Sequence, residues 1–192
     1  MGAIGSVGEL LVSSLGGLYL LAIMLRFLLQ LSRADFYNPL TQAIVPITDP
    51  GVRLFRRFIP GFRGMDFAAL VFAFVVQIAA TCLLISFSGF ELPGFGLIIT
   101  WSAIGLLSLV LNIYFWAIII SIIASFIAPF SAHPALTLIR ELTEPVMAPF
   151  RRLLPSMGGL DFSPIFVFLT IRIIQTLIIA QVPLNPALVL GI

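Results

Sequence analysis

The sequence predicts an all-α membrane protein: four transmembrane helices form two parallel two-helix repeats, each with an amphipathic cytoplasmic interfacial helix. Three observations predict this fold class. First, 60% of the 192 residues are hydrophobic and 9% are charged, which is too little charge to cover a soluble domain. Second, four apolar windows lie at about 8–31, 67–88, 98–128 and 162–182, and roughly 20 apolar residues cross a bilayer. Third, the second half of the chain repeats the first.

The repeat has a constant offset of 95 residues, from Thr48 to Thr143. It pairs TDPGVRLFRRFIP at 48–60 with TEPVMAPFRRLLP at 143–155. We therefore expect two units, residues 1–95 and 96–192, each with two spans. Because two spans separate equivalent positions, the copies share one orientation, and the link from inverted repeats to alternating access does not apply.

Span one and the loops predict the orientation. No basic residue precedes the first apolar run, which contains Glu9, so we expect a retained span rather than a cleaved signal peptide. Arg26, near the other end of this span, is expected to snorkel to the interface. The loops after spans one and three contain Arg, whereas the remaining loop and both tails contain none. Both Arg-bearing loops are therefore predicted to be cytoplasmic, with the N- and C-termini outside.

The first basic segment predicts an interfacial helix. On a helical wheel, the apolar residues of 52–59 occupy one half, and Arg53, Arg56 and Arg57 occupy the other. Arg151 and Arg152 take the polar half in the second copy. This pattern is typical of a helix in the membrane interface and favours membrane-surface anchoring and topology; a platform that binds anionic headgroups or a protein partner is the alternative.

Asp49, Asp66 and Asp161 are predicted helix caps. Thr48 or Asp49 can cap the first basic helix, with Pro50 in its first turn, while Pro149 is expected to kink or shorten the second. Asp66 and Asp161 precede spans two and four, where a carboxylate suits the helix dipole, although Asp66 could instead pair with an Arg.

Arg172 is predicted to lie near mid-membrane, because it follows the start of span four by ten residues. Its equivalent in the first repeat is Gln77, and Gln175 and Asn112 can reach a similar depth. An intramembrane Arg normally faces the bundle interior or a cavity. Two interpretations stay open: a structural tie to amides and carbonyls, or an ion, lipid or substrate site.

The sequence offers little reaction chemistry. It has one cysteine, Cys82, and one histidine, His133, which aligns with Asn38; both His133 and Asn38 look like caps of a loop helix. No phosphate-binding loop, nucleophile elbow, zinc spacing or dinucleotide fingerprint is present. We expect no enzyme activity, no cofactor, no metal and no direct nucleic-acid contact.

The first copy contains a series of spaced motifs: Tyr19, Arg26-Phe27, Asn38-Pro39, Thr48-Asp49-Pro50, Arg56-Arg57, Pro60 and Gly64-x-Asp66-Phe67. Over nearly the whole chain, these motifs resemble those of the YggT (YlmG-like) family of membrane proteins. The second copy departs at Ser121, where the first has Arg26, and at His133, where the first has Asn38.

The resemblance implies a bacterial inner-membrane protein without assigned catalytic residues. Relatives are associated with assembly of cytochrome b-type complexes, nucleoid distribution, cell-division genes, osmotic stress and cation uptake. Two hypotheses follow. The first is a scaffold or assembly factor whose Arg-rich segments bind lipids or partners and whose spans dock other helices or further copies. The second is a small channel or transport accessory with a polar path around Arg172.

Overall fold

The computed structural model describes residues 3–61, 64–128, 131–153, 161–180 and 188–191. Within these residues the chain forms six helices and no β-strand. The helices are α1 (Ala3–Leu31), α2 (Pro39–Arg56), α3 (Phe67–Phe87), α4 (Phe95–Ile127), α5 (Pro134–Leu153) and α6 (Ser163–Ile179).

Three helices, α1, α3 and α4, are long and apolar enough to cross a membrane. Their ends differ from the predicted spans by a few residues, and α1 runs unbroken through a π-helical turn at Val12–Gly16. Helix α6 is apolar but has only 17 residues, or about 26 Å of helix. The predicted end of span four, residues 181 and 182, lies outside the described residues. The described chain therefore provides three candidate spans and one shorter apolar helix.

The hydrophobic core lies where α1, α3 and α4 meet. Leu20, Ile23, Ile85 and Ile118 are almost completely buried there. Such side chains stabilise the bundle through close packing, since lipid tails are as apolar as the side chains themselves.

Helices α2 and α5 begin at Asn38-Pro39 and at His133-Pro134, where caps of a loop helix were predicted, and each continues through its basic segment. The Asn38 side chain accepts a hydrogen bond from the Leu40 N–H at 3.0 Å and is the N-cap of α2. His133 Nδ1 accepts from the Ala135 N–H at 3.2 Å. A proline suits the first helical position because its missing N–H would have no partner there. The predicted cap at Thr48 or Asp49 is therefore wrong: both residues lie inside α2.

The internal prolines do not end either helix. Pro46 and Pro50 in α2, like Pro145 and Pro149 in α5, lie four residues apart on an exposed face. The carbonyls that lose a donor thus lie where water or headgroups can reach them. The expected shortening of the second basic helix to about one turn is wrong, since α5 has 20 residues.

The two basic helices meet at their N-terminal ends. Asn38 Nδ2 donates to the Pro134 carbonyl at 2.8 Å, and the Asp35 N–H donates to Glu141 Oε2 at 3.0 Å. These bonds hold the N-terminal ends of α2 and α5 together.

Residues 188–191, near the C-terminus, pack against α3 and α4. Leu188, Val189 and Leu190 are buried. Gly105 of α4 permits this approach, because a Cβ on it would lie 2.7 Å from the Leu190 carbonyl oxygen. Gly191 adopts φ +93°, a backbone conformation that favours glycine.

Candidate functional site

The first Arg of each Arg-Arg pair is held within the chain. Arg56 pairs with Asp66, and its Nε lies 3.2 Å from Asp66 Oδ2. The equivalent Arg151 Nε donates to Asp161 Oδ2 at 3.0 Å, and its Nη1 donates to Glu144 at 2.7 Å. Each pair ties the end of a basic helix to the start of the next apolar helix.

The same carboxylates hold the beginnings of α3 and α6. Asp66 is the N-cap of α3 and accepts from the Ala69 N–H at 3.4 Å. Asp161 accepts from the Ser163 N–H at 2.9 Å. The two alternatives for Asp66, cap and Arg partner, are therefore one arrangement. Burial favours the neutral form of Asp161, but hydrogen bonds from Ser163 and Arg151 outweigh it and lower its pKa.

The second Arg of each pair projects outward. Arg57 and Arg152 are exposed and form no ion pair with any described residue. Each precedes a large exposed apolar side chain: Phe58 is 85% exposed and Leu153 is 78% exposed. Cationic and apolar groups thus stand side by side in both halves, on the same end of the bundle.

Arg26 does not snorkel but is buried against α2. Its guanidinium donates to Thr48 Oγ1 and to Asp49 Oδ1, both at 2.8 Å, and to the Val45 carbonyl at 3.4 Å. Arg53 contacts the other Asp49 oxygen at 2.5 Å. The predicted cap Asp49 is therefore the acceptor for two guanidiniums. Its hydrogen bond from Arg26 holds the pKa of Asp49 below the usual range, despite desolvation.

The second half lacks this buried Arg. Ser121 stands in place of Arg26, and Ile122 in place of Phe27. Both replacements are smaller, and a cavity of about 470 Å³ lies beside them, between α4, α5 and α6. Its polar lining residues are Ser121, Ser125, Thr143, Arg151 and Asp161.

Three of the four predicted intramembrane polar residues are hydrogen-bonded in series, and the fourth, Gln77, bonds the same C-terminal segment as Asn112. Arg172 Nη1 donates to Gln175 Oε1 at 3.3 Å, and Gln175 Nε2 donates to Asn112 Oδ1 at 2.8 Å. The arrangement ends on the C-terminal segment: Asn112 donates to the Gly191 carbonyl and Gln77 to the Leu190 carbonyl, each at 2.9 Å.

Arg172 itself lies on the outer face of α6. Its side chain is exposed, with the guanidinium carbon 4.4 Å from the centre of the Phe115 ring. No described carboxylate forms an ion pair with it. The neighbours of the Arg172 guanidinium are therefore the side-chain amide of Gln175 and the face of the Phe115 ring.

Sequence reasoning missed two groups of functional candidates. The Thr48 hydroxyl and its equivalent Thr143 each bond carbonyls one turn back; the only sequence signal was their position in the repeated motif. Residues 188–191 carried no signal, because backbone carbonyls are the acceptors. Among the described residues, no group of three or more His, Cys, Asp or Glu side chains is placed to bind a metal ion.

Comparisons with known proteins identify relatives over both halves. The CCB3/YggT family model matches residues 7–87 and 100–182. "Uncharacterized protein PA0392" of Pseudomonas aeruginosa is 48% identical over 170 residues, or 88% of this chain and 86% of that protein. "Uncharacterized protein YggT" of Escherichia coli K12 is 34% identical over 168 residues, or 86% of this chain and 85% of that protein. No solved structure matches the chain.

Proposed function

Because this chain belongs to the CCB3/YggT family, we propose that it is a non-enzymatic scaffold or assembly factor of the bacterial inner membrane. It acts in the assembly of membrane complexes or in the response to stress. Its Arg-rich interfacial segments engage lipid headgroups or partner proteins.

The observation that carries this proposal is that the two residues of each Arg-Arg pair have different surroundings. Arg56 and Arg151 fix the basic helices to the bundle, while Arg57 and Arg152 extend outward beside Phe58 and Leu153. A cation near an anionic membrane surface contributes about 1 kcal/mol. Burial of a Phe or Leu side chain adds about 1.5–3 kcal/mol. Two such anchors on one face suit an anionic interface.

A basic cavity in the first half supports the same function. Arg26, Arg33 and Arg56 line a space of about 340 Å³ beside Gln30. Arg26 and Arg56 each have an Asp partner, whereas Arg33 forms no ion pair with a described residue. Arg is well suited to phosphate because its guanidinium donates two parallel hydrogen bonds.

The proposed topology has four spans in two parallel repeats, 1–95 and 96–192, with α6 as the fourth span. The Arg-bearing end faces the cytoplasm and both termini face the periplasm. A tilted or locally thinned bilayer accommodates a short span at modest free-energy cost.

The outer face of α6 is the proposed surface for other membrane helices or a second copy. Ile165, Leu169 and Ile173 are at least half exposed along this face, and Arg172 stands among them. A lipid-exposed Arg is unfavourable in hydrocarbon, so a partner helix that supplies an acceptor would stabilise it.

The second candidate is a small channel or transport accessory. The hydrogen-bonded series Arg172–Gln175–Asn112 favours it, because polar groups follow one another within the apolar bundle. It predicts ion flux in proteoliposomes that changes with Arg172→Leu. If the flux is absent, or is unchanged in this variant, the channel hypothesis is wrong.

The test of the scaffold compares the neutral double variant Arg57→Gln/Arg152→Gln with Arg57→Lys/Arg152→Lys. Each tagged protein is purified gently from its native membrane, and co-purifying proteins and lipids are identified by mass spectrometry. We expect the neutral variant to lose anionic lipids or an acidic partner, and the Lys variant to keep them because charge is retained. Wild-type composition in the neutral variant would refute the proposal.

A further inference from the structure

The two halves of the protein differ at the position of Arg26. In the first half, the Arg26 guanidinium reaches three acceptors on α2: the Thr48 hydroxyl, the Asp49 carboxylate and the Val45 carbonyl. In the second half, the equivalent position is Ser121, whose side chain ends at the β-hydroxyl. No side chain from this position can make the same bonds to α5.

The acceptors nevertheless remain in the second half. Thr143 occupies the place of Thr48, with the same backward hydrogen bonds, and it is only 4% exposed. Glu144 occupies the place of Asp49 on α5, and the Arg140 carbonyl occupies that of Val45. A hydroxyl that donates to a carbonyl still has lone pairs that can accept.

The charges also differ. In the first half, Asp49 and Asp66 form ion pairs with three guanidiniums, those of Arg26, Arg53 and Arg56. Among the described residues of the second half, Glu144 and Asp161 both pair with Arg151. Arg53 has Ala148 as its equivalent. Arg140, also on α5, is exposed and is not among the residues that line the cavity.

The cavity beside Ser121 has the size and lining of a small-molecule site. Its volume of about 470 Å³ falls within the range of about 300–1,000 Å³ for ligand pockets. Thr143, Arg151 and Asp161 form its polar end. Its apolar walls include Ile118, Ile122, Phe126, Met147 and Phe168.

We propose that this cavity binds a small amphiphilic cation, with a guanidinium or primary ammonium head on a short hydrocarbon chain. The head takes the place that Arg26 has in the first half, close to Thr143 and to Asp161, the acidic residue that lines the cavity. The hydrocarbon chain lies against the apolar walls. This site is separate from Arg57 and Arg152, so it does not depend on the proposed scaffold function.

The test uses n-butylguanidinium chloride as the probe and n-butylurea, a neutral analogue of similar shape, as its control. Thermal unfolding of the purified full-length protein in detergent reports binding, because a ligand of the native state raises the unfolding midpoint. We expect a rise of several degrees with n-butylguanidinium and none with n-butylurea.

Two variants make the test specific. Ser121→Arg places a guanidinium in the cavity from within the chain, so it should abolish the response to the probe. Thr143→Val keeps the side-chain shape but removes the acceptor, so it should reduce the response. The proposal is overturned if the wild type does not respond to n-butylguanidinium, or if n-butylurea acts equally. It is also overturned if both variants respond as the wild type does; should Ser121→Arg fail to fold, Thr143→Val alone decides.

Discussion

At the scale of the residue, Asp49 is the most constrained charged side chain of the basic helices. It is 14% exposed and pairs with buried Arg26 and exposed Arg53. Its equivalent Glu144 is 57% exposed and, among the described residues, forms an ion pair with Arg151. Burial decides what each pair contributes, because removing one partner of a buried pair leaves an uncompensated charge, whereas an exposed pair is screened by water.

We predict that Asp49→Asn lowers the free energy of unfolding by about 3 kcal/mol, since Arg26 stays buried without a carboxylate. The matched variant Glu144→Gln should lower it by less than about 1 kcal/mol. Denaturant or thermal unfolding in detergent measures both. Equal effects would contradict the assignment of Arg26–Asp49 as a buried pair.

The acid stability of the protein should depend on the same residue. Because the folded pKa of Asp49 is lowered, its stabilisation is complete above about pH 4 and is lost as the pH falls through that lowered pKa. The unfolding midpoint of the wild type should therefore fall on acidification below about pH 4 more steeply than that of Asp49→Asn. Parallel profiles would show that Asp49 does not contribute.

At the scale of the element, a close contact with the following apolar helix helps to position the first basic helix. Gly51 of α2 lies under the Phe72 ring of α3, and a Cβ on it would lie 2.1 Å from a ring carbon. In the second half the equivalent residues are Val146 and Val167. A small and a large residue in one half, and two residues of medium size in the other, have a similar total side-chain volume, which close packing requires.

We predict that Gly51→Val destabilises the protein by about 1–3 kcal/mol, because it forces α2 away from Phe72. Adding Phe72→Val reproduces the pair of the second half and should restore part of the loss. Recovery is partial because Phe72 also packs against the rings of Tyr19 and Phe55. A double-mutant cycle measures the coupling, and strict additivity would contradict it.

At the scale of the whole molecule, the C-terminal residues 188–191 connect the polar groups of the bundle. Gln77 and Asn112 donate to successive backbone carbonyls of this segment, and Gln175 and Arg172 continue the series on α6. A buried amide without an acceptor is unfavourable in an apolar environment. The segment therefore contributes to the packing of α3, α4 and α6 together.

We predict that Gly105→Ala lowers the unfolding midpoint and increases hydrogen exchange at the C-terminal segment, because its Cβ would lie 2.3 Å from Gln77 Nε2. Gly96→Ala in the same helix is the control: a Cβ there meets no atom within 4 Å, and Ala favours the helix. An equal effect of both substitutions would contradict the close contact at Gly105.

The sequence by itself determined the membrane class and the family suggested by the motifs. It also determined three apolar helices, which agree with the predicted spans to within a few residues. Apolar runs and short motifs are local properties, which is why they can be read directly. It also located the basic segments and the caps Asn38 and His133. It did not join each cap and its basic segment into one helix, because the prolines between them looked like breaks.

Only the tertiary structure decided how the charged residues are paired. Arg56 and Arg57 are adjacent residues of the same type. Arg56 nevertheless faces Asp66 and Arg57 projects outward, because neighbouring helical residues point in directions about 100° apart. Arg26 is buried because α2 brings Thr48 and Asp49 to it. The cavity beside Ser121 and the place of residues 188–191 depend on side-chain volume and backbone carbonyls from distant parts of the chain, and neither leaves a local pattern in the sequence.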